Sequence, residues 1–300
     1  MYKFTPILKT LVWGTESWVL SGVPGSESVV AEGPEAGKKI TELYPGQFPL
    51  LIKFIDAKRD LSIQVHPDNE LAAKRHGCNG KTEMWYVIGA EPGAKLISGL
   101  KEQITPDDYV RLVEQDRITD VLAEHTVAPG DVFFLPSGRI HAIGGGCYLA
   151  EIQQTSDITY RIYDYNRPGL DGKPRQLHTQ EAKDAIDYRV YPEYRTPYEP
   201  KQDAPVELVR CPYFTTTLYD MTQRAEIPGQ AGDDDKTLFA GLTGESPFLI
   251  AIGLHGSGTL KTEQDEKQLS PGEAVLIPAA EGKISFIPAV SGWKFLTTHP

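Results

Sequence analysis

Cysteine is scarce in this chain. Cys78, Cys147 and Cys211 are the whole complement among 300 residues, widely spaced and in no Cys-x-x-Cys pair. An odd, sparse set builds no disulfide framework and fits a reducing compartment. Long apolar runs are also missing: none approaches about 18 residues, so no membrane span is expected. The stretch from Met1 to Gly14 has neither a long apolar core nor a small-residue cleavage site, so no secretory signal is expected. A soluble cytoplasmic protein is the resulting expectation. Positive charge is in short supply, with 30 Lys and Arg against 41 Asp and Glu, a formal sum of −11. Such a chain is a poor nucleic-acid binder unless it carries a local basic patch. No oligomeric state can be read from it.

What is present is turn-formers and short apolar runs. The chain has 28 Gly and 23 Pro, and 40% of its residues are hydrophobic. Its length suggests about two domains. Strand-like stretches at Phe48 to Ile55, Leu61 to Val65, Met84 to Ile88, Lys95 to Ser98, Val132 to Leu135 and Cys147 to Gln153 are bounded by Gly, Pro or Asp. That spacing predicts a β-sandwich or barrel. Helical signals are few. Thr105-Pro106-Asp107-Asp108 reads as a capped start, with helical spacing continuing through Ile118, Val121 and Leu122. Glu70 to Arg75 and Gln180 to Ile186 are weaker candidates. The Pro-, Tyr- and charge-rich stretch 168–205 reads as a connector, after which strand signals resume. The expected division is 1–205, a metal-binding catalytic domain, and 206–300, a second β domain.

Val127-Ala-Pro-Gly-Asp-Val-Phe-Phe-Leu-Pro136 repeats as Leu269-Ser-Pro-Gly-Glu-Ala-Val-Leu-Ile-Pro278. Duplication of a β unit is the simplest account. In the first copy the pattern Gly130-x5-Pro136-x-Gly138-x2-His141 resembles the second motif of the cupins, small jelly-roll barrels. The fold expected is therefore mainly β: two cupin-type jelly-roll barrels with a few short helices. In the second copy Lys283 fills the histidine slot and His255 stands alone, so that copy is expected to be metal-free.

Upstream, Ser62, Gln64 and His66 alternate along one strand and share a face. Glu83 opens the next strand. Gln64, His66, Glu83 and His141 can then converge, offering an amide oxygen, two imidazoles and a carboxylate. This set suits zinc with an open position, and equally ferrous iron held by two histidines and a carboxylate.

Leu61-Ser-Ile-Gln-Val-His-Pro-Asp68, Lys81-Thr-Glu-Met84 and Glu151-Ile-Gln-Gln-Thr-Ser-Asp-Ile-Thr-Tyr-Arg161, with Trp13-Gly14 and Pro49-Leu-Leu-Ile-Lys53, resemble the type I mannose-6-phosphate isomerases in their short bacterial form. The resemblance covers most of the chain. It implies one Zn2+ per chain on Gln64, His66, Glu83 and His141, and a sugar-phosphate substrate, mannose 6-phosphate or fructose 6-phosphate. It implies a catalytic Arg161, and Lys53, Ser62, Lys81 and Arg167 along the pocket, with Arg167 where larger members carry a lysine. Carbonyl transfer between neighbouring carbons passes through an enediol or enediolate and needs a base, a stabiliser of negative charge and a phosphate anchor. Glu151 suits the base or an orienting partner of Arg161. Lys81 stands two residues from Glu83 and can take part in the chemistry. Two rival readings use the same ligands: a ferrous oxygenase, and a sugar-phosphate binder without turnover. Gln64 in place of a third histidine speaks against the first, and the complete ligand set with Arg161 against the second.

Overall fold

The computed structural model describes residues 1–222, 225–226, 246–289 and 292–300. Two compact units emerge. One consists of Ile7–Ser26 and Gln47–Thr196, the other of Met1–Pro6, Glu27–Gly46 and Pro197–Pro300. A single cut at residue 205 does not describe this division, because two N-terminal stretches belong with the C-terminal half.

The first unit holds two antiparallel sheets. The six-stranded one runs Ile7–Leu11, Gly14–Ser21, Leu50–Ala57, Cys147–Gln154, Glu83–Ala90 and Val132–Leu135. The five-stranded one runs Tyr160–Tyr163, Ile63–Val65, His141–Ile143, Lys95–Leu100 and Leu122–Thr126. Apolar residues fill the space around them, with Ile63, Trp85, Val87, Phe133 and Leu149 fully buried. The chain is mainly β as expected. Among the described residues no sheet closes on itself, however, so the expected barrels are paired open sheets in a cupin-like arrangement.

The second unit repeats the strand order. In the first unit, Leu50–Ala57, Cys147–Gln154, Glu83–Ala90 and Val132–Leu135 are successive neighbours. In the second, Thr215–Met221, Trp293–His299, Phe248–His255 and Ala274–Pro278 stand in the same succession. The two copies of the Pro-Gly-acid motif thus lead into equivalent strands. Each glycine adopts a positive φ, 96° at Gly130 and 80° at Gly272, which a residue with a Cβ rarely adopts. The interior of the second unit is packed with aromatic rings. Tyr219 and Phe286 each stack on Phe295 at 4.9 and 4.8 Å, and Trp293 lies 4.4 Å from the same ring. Lys283 and His255 are both exposed.

Helices are short. Pro106–Glu114 starts as read, with the Thr105 hydroxyl accepting from the Asp108 amide at 3.1 Å. It does not continue through Ile118. Asp116 takes a φ of 56°, Ile118–Val121 forms a separate 3-10 turn, and Leu122 opens a strand. Asn69–His76 is capped by Asp68 and ends at Gly77, whose φ is 65°. The stretch 168–205 contains one helix, Thr179–Ala185, between irregular segments.

Candidate metal centre and active site

Strand register in the first unit decides which side chains meet. On the six-stranded sheet Glu151 pairs with Lys53 on one side and Trp85 on the other. Directly paired residues project to the same face, and Glu83 lies two residues from Trp85 on that face. On the five-stranded sheet Gln64 pairs with both His141 and Arg161. Ser62 and His66 flank Gln64 at alternate positions. The two sheets therefore present Lys53, Glu83 and Glu151 from one side, and Gln64, His141 and Arg161 from the other.

The candidate metal ligands are buried. His66 and His141 are each 1% exposed and Glu83 is 0%. One ligating atom from each of these three lies within 4.8 Å of the others. Backbone carbonyls fix both tautomers. His66 Nδ1–H donates to the Ile158 carbonyl at 2.8 Å, and His141 Nδ1–H to the Arg139 carbonyl at 2.8 Å. Each ring thus keeps the Nε2 lone pair for the centre, the outer arrangement usual for metal-bound imidazoles. His66 Nε2 is 3.6 Å from one Glu83 oxygen and His141 Nε2 is 3.3 Å from the other. Burial holds His141 down to about 4, and burial with the Lys81 charge holds His66 well below its ordinary value. Both rings are neutral at physiological pH, the form that ligates.

The Glu83 carboxylate is sealed from water, with the Lys81 ammonium beside Oε2 and no donor on Oε1. A buried carboxylate paired with a single ammonium keeps one oxygen available to a cation. Burial and the nearby Glu151 charge raise its pKa to about 7. The Lys81 ammonium already sits 2.8 Å from Glu83 Oε2 and donates to His66 Nε2 at 3.1 Å. Gln64 completes the set. Its Nε2 donates to His141 Nε2 at 3.3 Å, and a half-turn of the amide presents oxygen there instead. The donor set fits zinc.

Beside these residues opens a cavity of about 430 Å3. Of the site residues expected from sequence, Lys53, Ser62, Gln64, Lys81, Glu151 and Arg161 line it. Glu151 is 3% exposed and sits in a net of partners. Lys53 Nζ lies 3.0 Å away, Lys81 Nζ 3.9 Å away, and Trp85 Nε1–H donates to Oε2 at 2.9 Å. Burial alone would raise the Glu151 pKa, but Lys53 and Lys81 overcome it and hold the group at about 2. Burial would likewise lower the Lys53 pKa, yet Glu151, Glu16 and Asp157 reverse that and raise it. Arg161 donates to the Gln176 carbonyl at 2.9 Å, while its buried Nε has no partner. Burial and the neighbouring Arg175 lower its pKa, but a guanidinium remains charged.

Arg167 is not among the residues lining the cavity. Its guanidinium is committed to Asp164, donating at 3.0 and 2.8 Å, and it lies over the Tyr165 ring. Arg175, which donates to the same carboxylate at 2.6 Å, lines the cavity instead. Sequence reasoning missed Arg175 because it lies in the stretch taken for a connector. It also missed Lys9, Glu16 and Trp18 on the N-terminal hairpin, and Asp157 and Thr159 inside the motif ending at Arg161. The alternation Ile7, Lys9, Leu11 was the available signal for the hairpin.

Residues 15–86 match the family model for the catalytic domain of type I phosphomannose isomerase. The mannose-6-phosphate isomerase ManA of Bacillus subtilis is 31% identical over 310 residues, covering 93% of both chains. The crystal structure of the mannose 6-phosphate isomerase from Bacillus subtilis superposes with a TM-score of 0.86 at 30% identity, covering 100% of this chain and 99% of that one. A zinc-bound mannose 6-phosphate isomerase shares the fold at 16% identity and a TM-score of 0.71, covering 99% of this chain and 98% of the other. Full-length similarity on this scale, together with the buried His66–Glu83–His141 cluster, places the chain in the type I mannose-6-phosphate isomerase family.

Proposed function

We propose that this protein interconverts mannose 6-phosphate and fructose 6-phosphate through an enediol or enediolate, with one Zn2+ held by Gln64, His66, Glu83 and His141. The observation that carries the reading is a cationic cavity beside the buried His66–Glu83–His141 cluster. On a chain of net charge −11, the cavity gathers Lys9, Lys53, Lys81, Arg161 and Arg175 against Glu16, Glu151 and Asp157. Local inversion of sign is what a phosphorylated ligand needs. When bound, zinc supplies a Lewis acid that polarises a sugar oxygen.

The remaining roles belong to the chain's own side chains. Arg161 keeps an unpaired, buried Nε–H and a permanent charge, which suit it to stabilise the enediolate oxygen. Glu151 stays ionised through neutral pH beside Lys53, so its carboxylate can accept the proton that moves between the two carbons. Lys81 lies 2.8 Å from Glu83 and 3.9 Å from Glu151 and steadies the charge of both. Lys53 and Ser62 line the pocket for the sugar phosphate. Arg167 and Arg175 both donate to Asp164, but Arg175 lines the cavity, so the anchoring role expected of Arg167 falls to it.

The test is conversion of mannose 6-phosphate to fructose 6-phosphate by the purified protein, followed by a coupled assay, before and after chelation and after zinc is restored. Activity lost on chelation and regained with zinc is expected. A folded sample inactive in every metal state refutes the isomerase reading. Oxygen uptake at the same centre would replace it with an oxygenase.

A further inference from the structure

The turn that delivers His141 is held by a segment outside the cavity lining. Gly138 N–H donates to the His66 carbonyl at 2.8 Å, and the Gly138 carbonyl accepts from the Asp187 amide at 2.8 Å. The next residue, Arg139, supplies the carbonyl that accepts from His141 Nδ1–H. One short turn thus touches both imidazole-bearing residues of the candidate centre. Gly138 has a φ of 87°, and a Cβ there would lie 3.0 Å from the Ala185 carbonyl oxygen, so the turn sits tight against the chain leaving the helix Thr179–Ala185.

Arg139 is 8% exposed and is not among the residues lining the cavity. Its guanidinium lies 4.6 Å from the ring centres of both Tyr191 and Tyr194. The two rings are 6.0 Å apart and inclined at 66°, forming a cleft for a flat cation. Each tyrosine is itself tied down. Tyr191 OH donates to Asp187 Oδ2 at 2.7 Å, and Tyr194 OH donates to the Leu100 carbonyl at 2.7 Å. Beyond them the segment is fastened to the strand Val132–Leu135, where the Thr196 amide donates to the Val132 carbonyl at 2.8 Å. None of Arg139, Tyr191 or Tyr194 lines the cavity.

We propose that Tyr191 and Tyr194 are positioning residues for the metal centre: by clamping Arg139 they fix the carbonyl that orients the His141 ring. The inference rests on the metal reading given above. The clamp acts on the unloaded protein, holding the ring with its Nε2 toward Glu83 before metal arrives. Disturbing an outer hydrogen-bond partner of a metal-bound histidine typically costs ten- to a hundredfold in metal affinity, so a loss of about tenfold is the scale expected here.

The experiment measures zinc affinity of the full-length apo-protein by competition with a chromophoric chelator, well below the melting temperature, and records the visible spectrum of the cobalt-substituted protein. The variants are Arg139→Met, Arg139→Lys, Tyr191→Leu and Tyr191→Phe. Arg139→Met and Tyr191→Leu are expected to weaken zinc binding about tenfold and to alter the cobalt bands. Tyr191→Phe keeps the ring face and is expected to retain affinity near the parent's, while Arg139→Lys, which loses the flat fork, falls between. Tyr191 is only half-buried, so its variants carry the test even where Arg139→Met fails to fold. Unchanged affinity and spectra in both Arg139→Met and Tyr191→Leu would overturn the positioning role while leaving the metal reading intact. Failure of the parent protein to bind zinc or cobalt would overturn both.

Discussion

Replacing Lys53 with Met tests the electrostatics of the cavity wall most directly. Lys53 is 3% exposed and lies 3.0 Å from Glu151, itself 3% exposed, with Glu16 at 4.0 Å. Methionine nearly matches the length of the lysine stem but removes its charge. Glu151 then keeps the Trp85 hydrogen bond and the more distant Lys81 at 3.9 Å. Breaking a buried pair by deleting one partner costs about 3–5 kcal/mol, because the other charge is left without compensation. At about 2–4 °C per kcal/mol for a unit of this size, the melting temperature at neutral pH should fall by about 6–20 °C. The pH dependence identifies the cause. In the parent, burial raises the Glu151 pKa, but Lys53 and Lys81 bring it down to about 2. A depressed carboxylate contributes stability above its unfolded pKa of about 4.3 and loses it as pH falls through the folded value. Without Lys53, the largest favourable charge on Glu151 is gone, its folded pKa rises, and that contribution disappears. The gap between parent and variant should therefore be full at pH 7 and close progressively below about pH 4.3. Thermal denaturation followed by circular dichroism between pH 3 and 7 measures it. A gap that stays constant over this range would show that packing, not charge, is lost, and absence of any gap would refute the ion-pair account.

Three further outcomes follow from the site and its surroundings. His141→Ala removes one of two imidazoles from the buried trio, and should abolish both bound zinc, measured by elemental analysis, and isomerase activity. Arg161→Ala should retain zinc while lowering kcat about 10²–10³-fold, the scale of losing one preorganised donor to a developing oxyanion; full turnover would remove Arg161 from the chemistry. Gly99→Ala would place a methyl 2.1 Å from the Tyr194 ring at a φ of 83°. It should destabilise the fold by at least about 1–3 kcal/mol in chemical denaturation.

The centre was legible in sequence because its parts are local. Ser62, Gln64 and His66 alternate along one short strand, and Gly130, Pro136, Gly138 and His141 mark one turn and strand. Spacing within such pieces survives folding. Arg175 was not legible for the opposite reason. The chain after Arg161 runs out and doubles back, with the Gly169 amide donating to the Lys173 carbonyl at 2.7 Å and Arg161 N–H donating to His178 Nδ1 at 3.1 Å. The family resemblance pointed to Arg167, and the return of the hairpin gives the cavity to Arg175. The reading of a helix through Ile118, Val121 and Leu122 failed on one residue. Helical spacing of apolar side chains does not report the backbone, and the positive φ of Asp116 interrupts the helix before that spacing is complete. That the sheets stay open was not legible, because periodicity identifies strands and faces but not closure.

The cavity's charges also bear on why it exists. Lys53, Lys81, Glu83 and Glu151 are each under 5% exposed and contact one another, yet a buried ion-pair cluster is weak support for stability. Desolvating four charged groups costs about as much as their mutual attraction returns, and apolar residues of similar volume often serve a fold as well or better. The second unit shows the same strand succession built that way. Its interior is a stack of Tyr219, Phe286, Trp293 and Phe295. A scaffold that folds around rings in one copy does not require ion pairs in the other. The charges of the first unit are therefore best explained by what they surround: two neutral imidazoles and a carboxylate aimed at one point, beside a cationic pocket that suits the anionic sugar proposed as substrate.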